Sequence, residues 1–164
     1  MWASLIAAFL SWSEGLIQAF GYAGVFLVSM LSSASIFLPV PGFLFTIAAA
    51  PFLNPWVVGI VAGAGSAIGE LTGYAVGKGS NRVLSAKDQK WLKWGERWFT
   101  EKRGFLFITI FAATPLPDDV TGILGGMFRY DWKRFLLASF IGKTILNIAL
   151  ALSGFYGIGF FMGP

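Results

Sequence analysis

Glu70, Lys143 and Asn147 stand inside stretches of chain that are otherwise apolar, and Asp118 and Asp119 follow a Pro-x-Pro break in another. An ionisable side chain in such a setting is costly to bury, so each charged residue is a candidate for handling an ion or a charged substrate. Glu70 falls about fourteen residues into a long apolar run; the competing reading is a structurally paired acid two turns from Lys78, within reach of lipid headgroups. Asp118 and Asp119 could bind a cation, exchange a proton, or pair with Lys143 or Arg129. Alternatively they cap the helix that follows, since Asp favours helix N-termini. One capping acid and one functional acid is the expected division, and two adjacent carboxylates at depth imply one raised pKa. Lys143, with Asn147 one turn on, needs an acidic partner, and Asp118, Asp119 and Glu70 are the available ones. Arg129, Lys133 and Arg134 read first as topology anchors, with Arg129 kept as a candidate contact for an anionic group.

Several chemistries are excluded or disfavoured. The chain has no Cys and no His, so disulfides, thiolate metal sites and the commonest general base are absent. No metal or other cofactor is expected. Without an obvious nucleophile–base pair, an enzyme acting on lipid phosphates inside the membrane is disfavoured. The net charge of +4 does not point to nucleic acid, because eight of the twelve Lys and Arg lie between Lys78 and Arg103 and three more are Arg129, Lys133 and Arg134. Basic segments flanking apolar ones follow the positive-inside rule, which puts Lys78–Gly104 and Phe128–Arg134 in the cytoplasm beside anionic headgroups.

The elements that must position these residues are membrane elements. Of 164 residues 56% are apolar and 12% are charged, against about a quarter charged in soluble domains. One membrane domain is expected. Residues 1–20 read as an interfacial helix, kept in the mature protein, and 21–77 as a first repeat. Residues 78–104 form a basic cytoplasmic loop with an amphipathic helix over Ser85–Lys102, and 105–164 form a second repeat. Gly21–Leu38 ends at Pro39-Val40-Pro41-Gly42, which cannot continue a regular helix. Phe43–Leu53 then returns over about half of a ~30 Å hydrocarbon core. Asn54-Pro55 starts a helix, with Asn as N-cap and Pro at the first position. Val57–Gly77 is long enough to cross. Phe105–Thr114, Pro115-Leu116-Pro117 and Val120–Phe128 repeat the broken arm, and Phe135–Phe161 is a second span.

An offset of 76 residues carries Pro39-Val40-Pro41 onto Pro115-Leu116-Pro117, Trp56 onto Trp132 and Ala62 onto Ala138. The first hairpin precedes a span ending inside and so opens outside, whereas the second leaves from and returns to basic residues and so opens inside. The expected fold class is therefore an all-α membrane protein of two inverted repeats. Each is a re-entrant Pro-x-Pro hairpin, with tips at Pro39, Pro41 and Gly42 and at Pro115 and Pro117, followed by a transmembrane helix; amphipathic surface helices complete it. Gly65, Gly69, Gly73 and Gly77 form a helical ridge for close packing.

These pieces, in this order, resemble the DedA family, whose shared region is called the VTT or SNARE-associated domain. The resemblance covers roughly Gly21 to Gly157. It is carried by Leu38-Pro39-Val40-Pro41-Gly42, by Gly65, Gly69-Glu70, Gly73-Tyr74 and Gly77-Lys78, and by Pro115, Leu124-Gly125-Gly126-Met127 and Gly142. It implies opposed re-entrant loops and movement of lipids across the bilayer: recycling of polyprenyl-phosphate carriers in bacterial members, phospholipid scrambling in eukaryotic relatives, and proton or sodium coupling in some. The chain departs from the family pattern at Phe43, where many members carry an acid, and at Ala112 and Asp118, where they carry arginines.

The leading expectation is a lipid translocase or scramblase in a prokaryotic plasma (inner) membrane. Lys143 and Arg129 would favour an anionic lipid headgroup, and Glu70, Asp118 and Asp119 would handle protons or cations. The alternatives are an ion-coupled carrier of a small soluble solute and a non-transporting assembly factor, for which the helix with Trp91, Trp94 and Trp98 would suit. Membrane lipids are the expected partners, and homo-oligomerisation is left open.

Overall fold

The computed structural model describes residues 2–34, 42–80, 88–114 and 119–162, and every regular element among them is an α-helix. The helices are α1 (Trp2–Ala34), α2 (Gly42–Ala49), α3 (Pro55–Gly69), α4 (Leu71–Ser80), α5 (Asp88–Trp98), α6 (Glu101–Ala112), α7 (Asp119–Met127) and α8 (Trp132–Met162). Pro39, Pro41, Pro115, Pro117 and Asp118, named above as loop tips and a candidate acid, lie outside the described residues.

Local sequence accounts for most of the boundaries. Gly21 interrupts α1 with φ 51° and ψ −128°, a conformation open to glycine and strained for other residues, so the chain breaks where the first segment was expected to end. Asn54 caps α3, its side-chain oxygen accepting the Trp56 and Val57 N–H groups at 3.0 and 3.4 Å, and Pro55 occupies the first helical position. α3 and α4 meet at Glu70, whose N–H donates to Ser66 O at 3.0 Å and whose carbonyl accepts from the Tyr74 N–H at 3.1 Å. Hydrogen bonding thus carries through, and Pro55–Ser80 is one apolar stretch of 26 residues. Asp131 accepts the Arg134 N–H at 2.9 Å and caps α8.

The surface helix differs from expectation. Of the single amphipathic helix expected over Ser85–Lys102, residues 85–87 lie outside the described residues and the rest divides between α5, which ends at Trp98, and α6, which takes in Glu101, Lys102 and Arg103. The reason is Phe99, which leaves the helical line to bury itself among Phe128, Phe107 and Tyr130, with ring centroids 5.2–5.9 Å away. Thr100 then turns extended (φ −65°, ψ 163°) and opens α6. Trp91 and Trp94 remain exposed on α5.

Two helical stretches, Pro55–Ser80 and Trp132–Gly157, are long and apolar enough to cross a membrane. By contrast α2, α6 and α7, at 8, 12 and 9 residues, reach roughly 12–18 Å, about half of a ~30 Å hydrocarbon core. α3 packs on α8 and the two run antiparallel: Gly59 meets Ile148 and, four residues on, Gly63 meets Thr144 four residues back. α1 packs on α3 and α6 on α8, while α2 crosses to α8 and α7 to α4. Two clusters fill the interior, one around Val25, Phe45, Val58 and Ala151, the other around Tyr74, Ile108, Phe128 and Phe135. The outward face is apolar as well: Leu31, Leu106, Ile110, Leu137 and Ile145 are each more than half exposed, a surface suited to lipid.

Candidate functional site

The antiparallel register of α3 and α8 decides which charged groups can meet. Lys143 adjoins Thr144 on α8 and Glu70 follows Gly63 by about two turns, and across the bundle Lys143 Nζ lies 3.0 Å from Glu70 Oε1. Both residues are buried, at 3% and 6% exposure, so this ion pair is shielded from outside solvent and from ionic screening. Glu70 Oε2 is buried and has no hydrogen-bond partner among the described residues. Of the three acids available to Lys143 on sequence grounds, the structure brings Glu70 to it; of Asp119, which opens α7, the backbone alone is described.

Asn147 extends the cluster one turn along α8. Its amide nitrogen donates to Lys143 O at 2.8 Å, which orients its oxygen to accept the Thr46 hydroxyl at 3.1 Å. Thr46 belongs to α2 and is fully buried, so the short helix of the first half is tied directly to the span of the second. Sequence reasoning passed over Thr46, although a hydroxyl four residues after Gly42 in an otherwise apolar half-helix was a usable signal. Gly42 starts α2, and its N–H donates to Ser32 Oγ on α1 at 3.1 Å.

Arg129 is not part of this cluster. It sits at positive φ (52°) in the turn between α7 and α8, its side chain 71% exposed and 3.7 Å from Glu96. Lys143 lies eleven residues beyond the start of α8, roughly 16 Å along the helix. A second polar group holds the end of the bundle near Arg129: the Tyr74 hydroxyl donates to Tyr130 O at 2.5 Å, and the Tyr130 hydroxyl donates to Glu101 O at 2.9 Å. Burial pushes the Tyr130 phenol above its usual range, Arg134 acting against the shift and Asp131 and Glu101 adding to it, so it remains a neutral donor. Neither tyrosine was singled out from sequence for this role. Among the described residues no cluster of acids could hold a metal ion.

The site therefore offers a carboxylate with one oxygen free of hydrogen bonds among the described residues, an ammonium in contact with the other, and an amide–hydroxyl pair linking them to a half-length helix. Such a group can exchange a proton or cation at the carboxylate, or present the ammonium to an anion when the pair separates. The fold and site together define a helical membrane-associated protein with a charged centre between two spans.

Comparison with known proteins agrees with that class. The family model of the VTT domain matches residues 40–156, and the chain belongs to the DedA family that carries this domain. It is also similar to an uncharacterized protein of Methanocaldococcus jannaschii, 30% identical over 133 residues that make up 79% of this chain and 81% of the relative. No solved structure matches the chain.

Proposed function

We propose that this protein is a membrane lipid translocase or scramblase, acting on an anionic lipid such as a polyprenyl phosphate or a phospholipid. The observation that carries the reading is the Glu70–Lys143 ion pair, buried between two spans and joined through Asn147 and Thr46 to a helix too short to cross. A broken or half-length helix at the centre of a bundle exposes backbone and charge to a substrate path without exposing them to lipid. In this reading Lys143 receives the phosphate while Glu70 takes up a proton or cation as the pair opens. Residues 1–164 act as one membrane domain in a prokaryotic plasma membrane, with 78–104 on the cytoplasmic side.

The two halves act as inverted repeats. The support is a contact pattern that survives exchange of the halves: α2 on α8 answers α7 on α4, and α1 on α3 answers α6 on α8. A Cβ on Gly77 would strike the Ile123 carbonyl and one on Gly154 the Ile47 carbonyl, and Ile47 and Ile123 are 76 residues apart.

Purified protein in liposomes is expected to move fluorescent phospholipid or polyprenyl phosphate between leaflets, read by dithionite quenching or enzymatic accessibility. Glu70→Ala and Lys143→Ala are each expected to slow that movement at least tenfold. Wild type indistinguishable from both variants and from empty liposomes defeats the proposal. Ion-dependent uptake of a soluble solute without lipid movement replaces it with a solute carrier.

A further inference from the structure

The cations of the second half are not equivalent. Arg129 is matched by Glu96, Arg134 by Glu101 at 2.6 Å and Lys143 by Glu70. Lys133, in the first turn of α8, has no acidic partner among the described residues and lies 5.8 Å from the centroid of its neighbour Trp132. Asp131, two residues away, is engaged as the N-cap of the same helix. An unmatched ammonium in a first helical turn, beside an exposed tryptophan, is set for an anion at a membrane interface.

Lys133 also stands at one end of a groove of about 460 Å³, within the range of small-molecule sites. Ala64, Ala67 and Ile68 of α3 line it from one span, and Leu136, Leu137 and Phe140 of α8 from the other. Apart from Lys133 every lining residue is apolar. From Lys133 to Phe140 the groove follows α8 for seven residues, roughly 10 Å, a large part of one leaflet's ~15 Å of hydrocarbon. An apolar channel of that length with a cation at its interfacial end has the charge and polarity pattern of an anionic lipid: chain along the groove, phosphate at the ammonium. Zwitterionic lipid would fill the same groove but bring a cation of its own to Lys133.

We propose that this groove between α3 and α8 is a binding site for one acyl chain of an anionic phospholipid, whose phosphate is held by Lys133. The site is separate from the Glu70–Lys143 pair. It requires the spans to lie in a bilayer but not that the protein translocate lipid, so a binding measurement tests it independently of any flux result.

The test is photo-crosslinking of the full chain in nanodiscs that carry phosphatidylglycerol or phosphatidylcholine with a diazirine at mid-chain, followed by peptide mass spectrometry. Phosphatidylglycerol is expected to label Ile68, Leu137 and Phe140 at least fivefold more than phosphatidylcholine. Lys133→Gln is expected to abolish that preference, Lys133→Arg to keep it, and Ala64→Trp to block labelling by both lipids. Lys133 is exposed, so its variants retain the fold and remain informative if Ala64→Trp does not. Equal labelling by the two lipids, or labelling spread evenly around both spans, overturns the proposal.

Discussion

A carboxylate and an ammonium 3.0 Å apart, each almost wholly buried, attract one another strongly and have both given up water to do so. Removing one partner therefore carries two effects, loss of its chemistry and a stability cost of about 3–5 kcal/mol for the charge left behind. A variant that removes both charges separates them. Replacing a buried pair with neutral residues of similar size is often neutral for stability, so Glu70→Gln with Lys143→Met is expected to melt within a few degrees of wild type. The same double variant is expected to lose at least nine-tenths of lipid movement in liposomes, while wild-type rates in it would make the pair purely architectural. Thr46 matters less for stability: Thr46→Val removes one donor to Asn147 Oδ1, a net effect of about 1 kcal/mol in a melt.

At the scale of the helices, the close contacts are made by glycines facing backbone. A Cβ at Gly77 or at Gly154 would overlap a carbonyl of the short helix opposite, whereas Gly79 has open space around it. Gly77→Ala and Gly154→Ala are therefore expected to destabilise by about 1–3 kcal/mol as α7 and α2 are pushed away. Gly79→Ala should be neutral or slightly stabilising, because alanine is the better helix former by about 1 kcal/mol. Thermal melts of the three variants in one detergent check this, and equal melting temperatures would mean that the helices do not approach so closely. What was legible in the sequence follows the same division between local and distant causes. Asn54-Pro55, the lengths of the two spans and the glycine spacing are local, and the helices obey them. The break at Phe99 was hidden because the rings it packs against, Phe128 and Tyr130, come from about thirty residues further along the chain. The pairing of Lys143 with Glu70 was hidden for a related reason. The register of α3 on α8 brings Glu70 to Lys143, and neither helix encodes that register alone.

For the molecule as a whole, the antiparallel seam of α3 and α8 fixes the relation of the two spans, and each half's short helix leans on the other half's span. Inversion adds a further requirement: the chain entering α2 must reach the centre from one face of the membrane, and the chain entering α7 from the other. The absence of native cysteine makes this directly measurable. Single substitutions Val40→Cys, Val57→Cys, Ser80→Cys, Leu116→Cys and Ile158→Cys would be labelled with an impermeant maleimide in sealed vesicles of each orientation. Ser80 ends the first span beside Lys78, so Ser80→Cys is expected to react from the cytoplasmic side, and Val57→Cys and Ile158→Cys from the opposite side. If the halves are inverted, Val40→Cys is then expected to share the face of Val57→Cys. Leu116→Cys is expected to share the face of Ser80→Cys. If the tips lie in a wet cavity at mid-membrane, pre-treatment with a small permeant thiol reagent should block both positions. Labelling of positions 40 and 116 from one and the same face would end the inverted-hairpin reading, even with both spans crossing as drawn, and would leave the Glu70–Lys143 pair in a bundle with access from a single side.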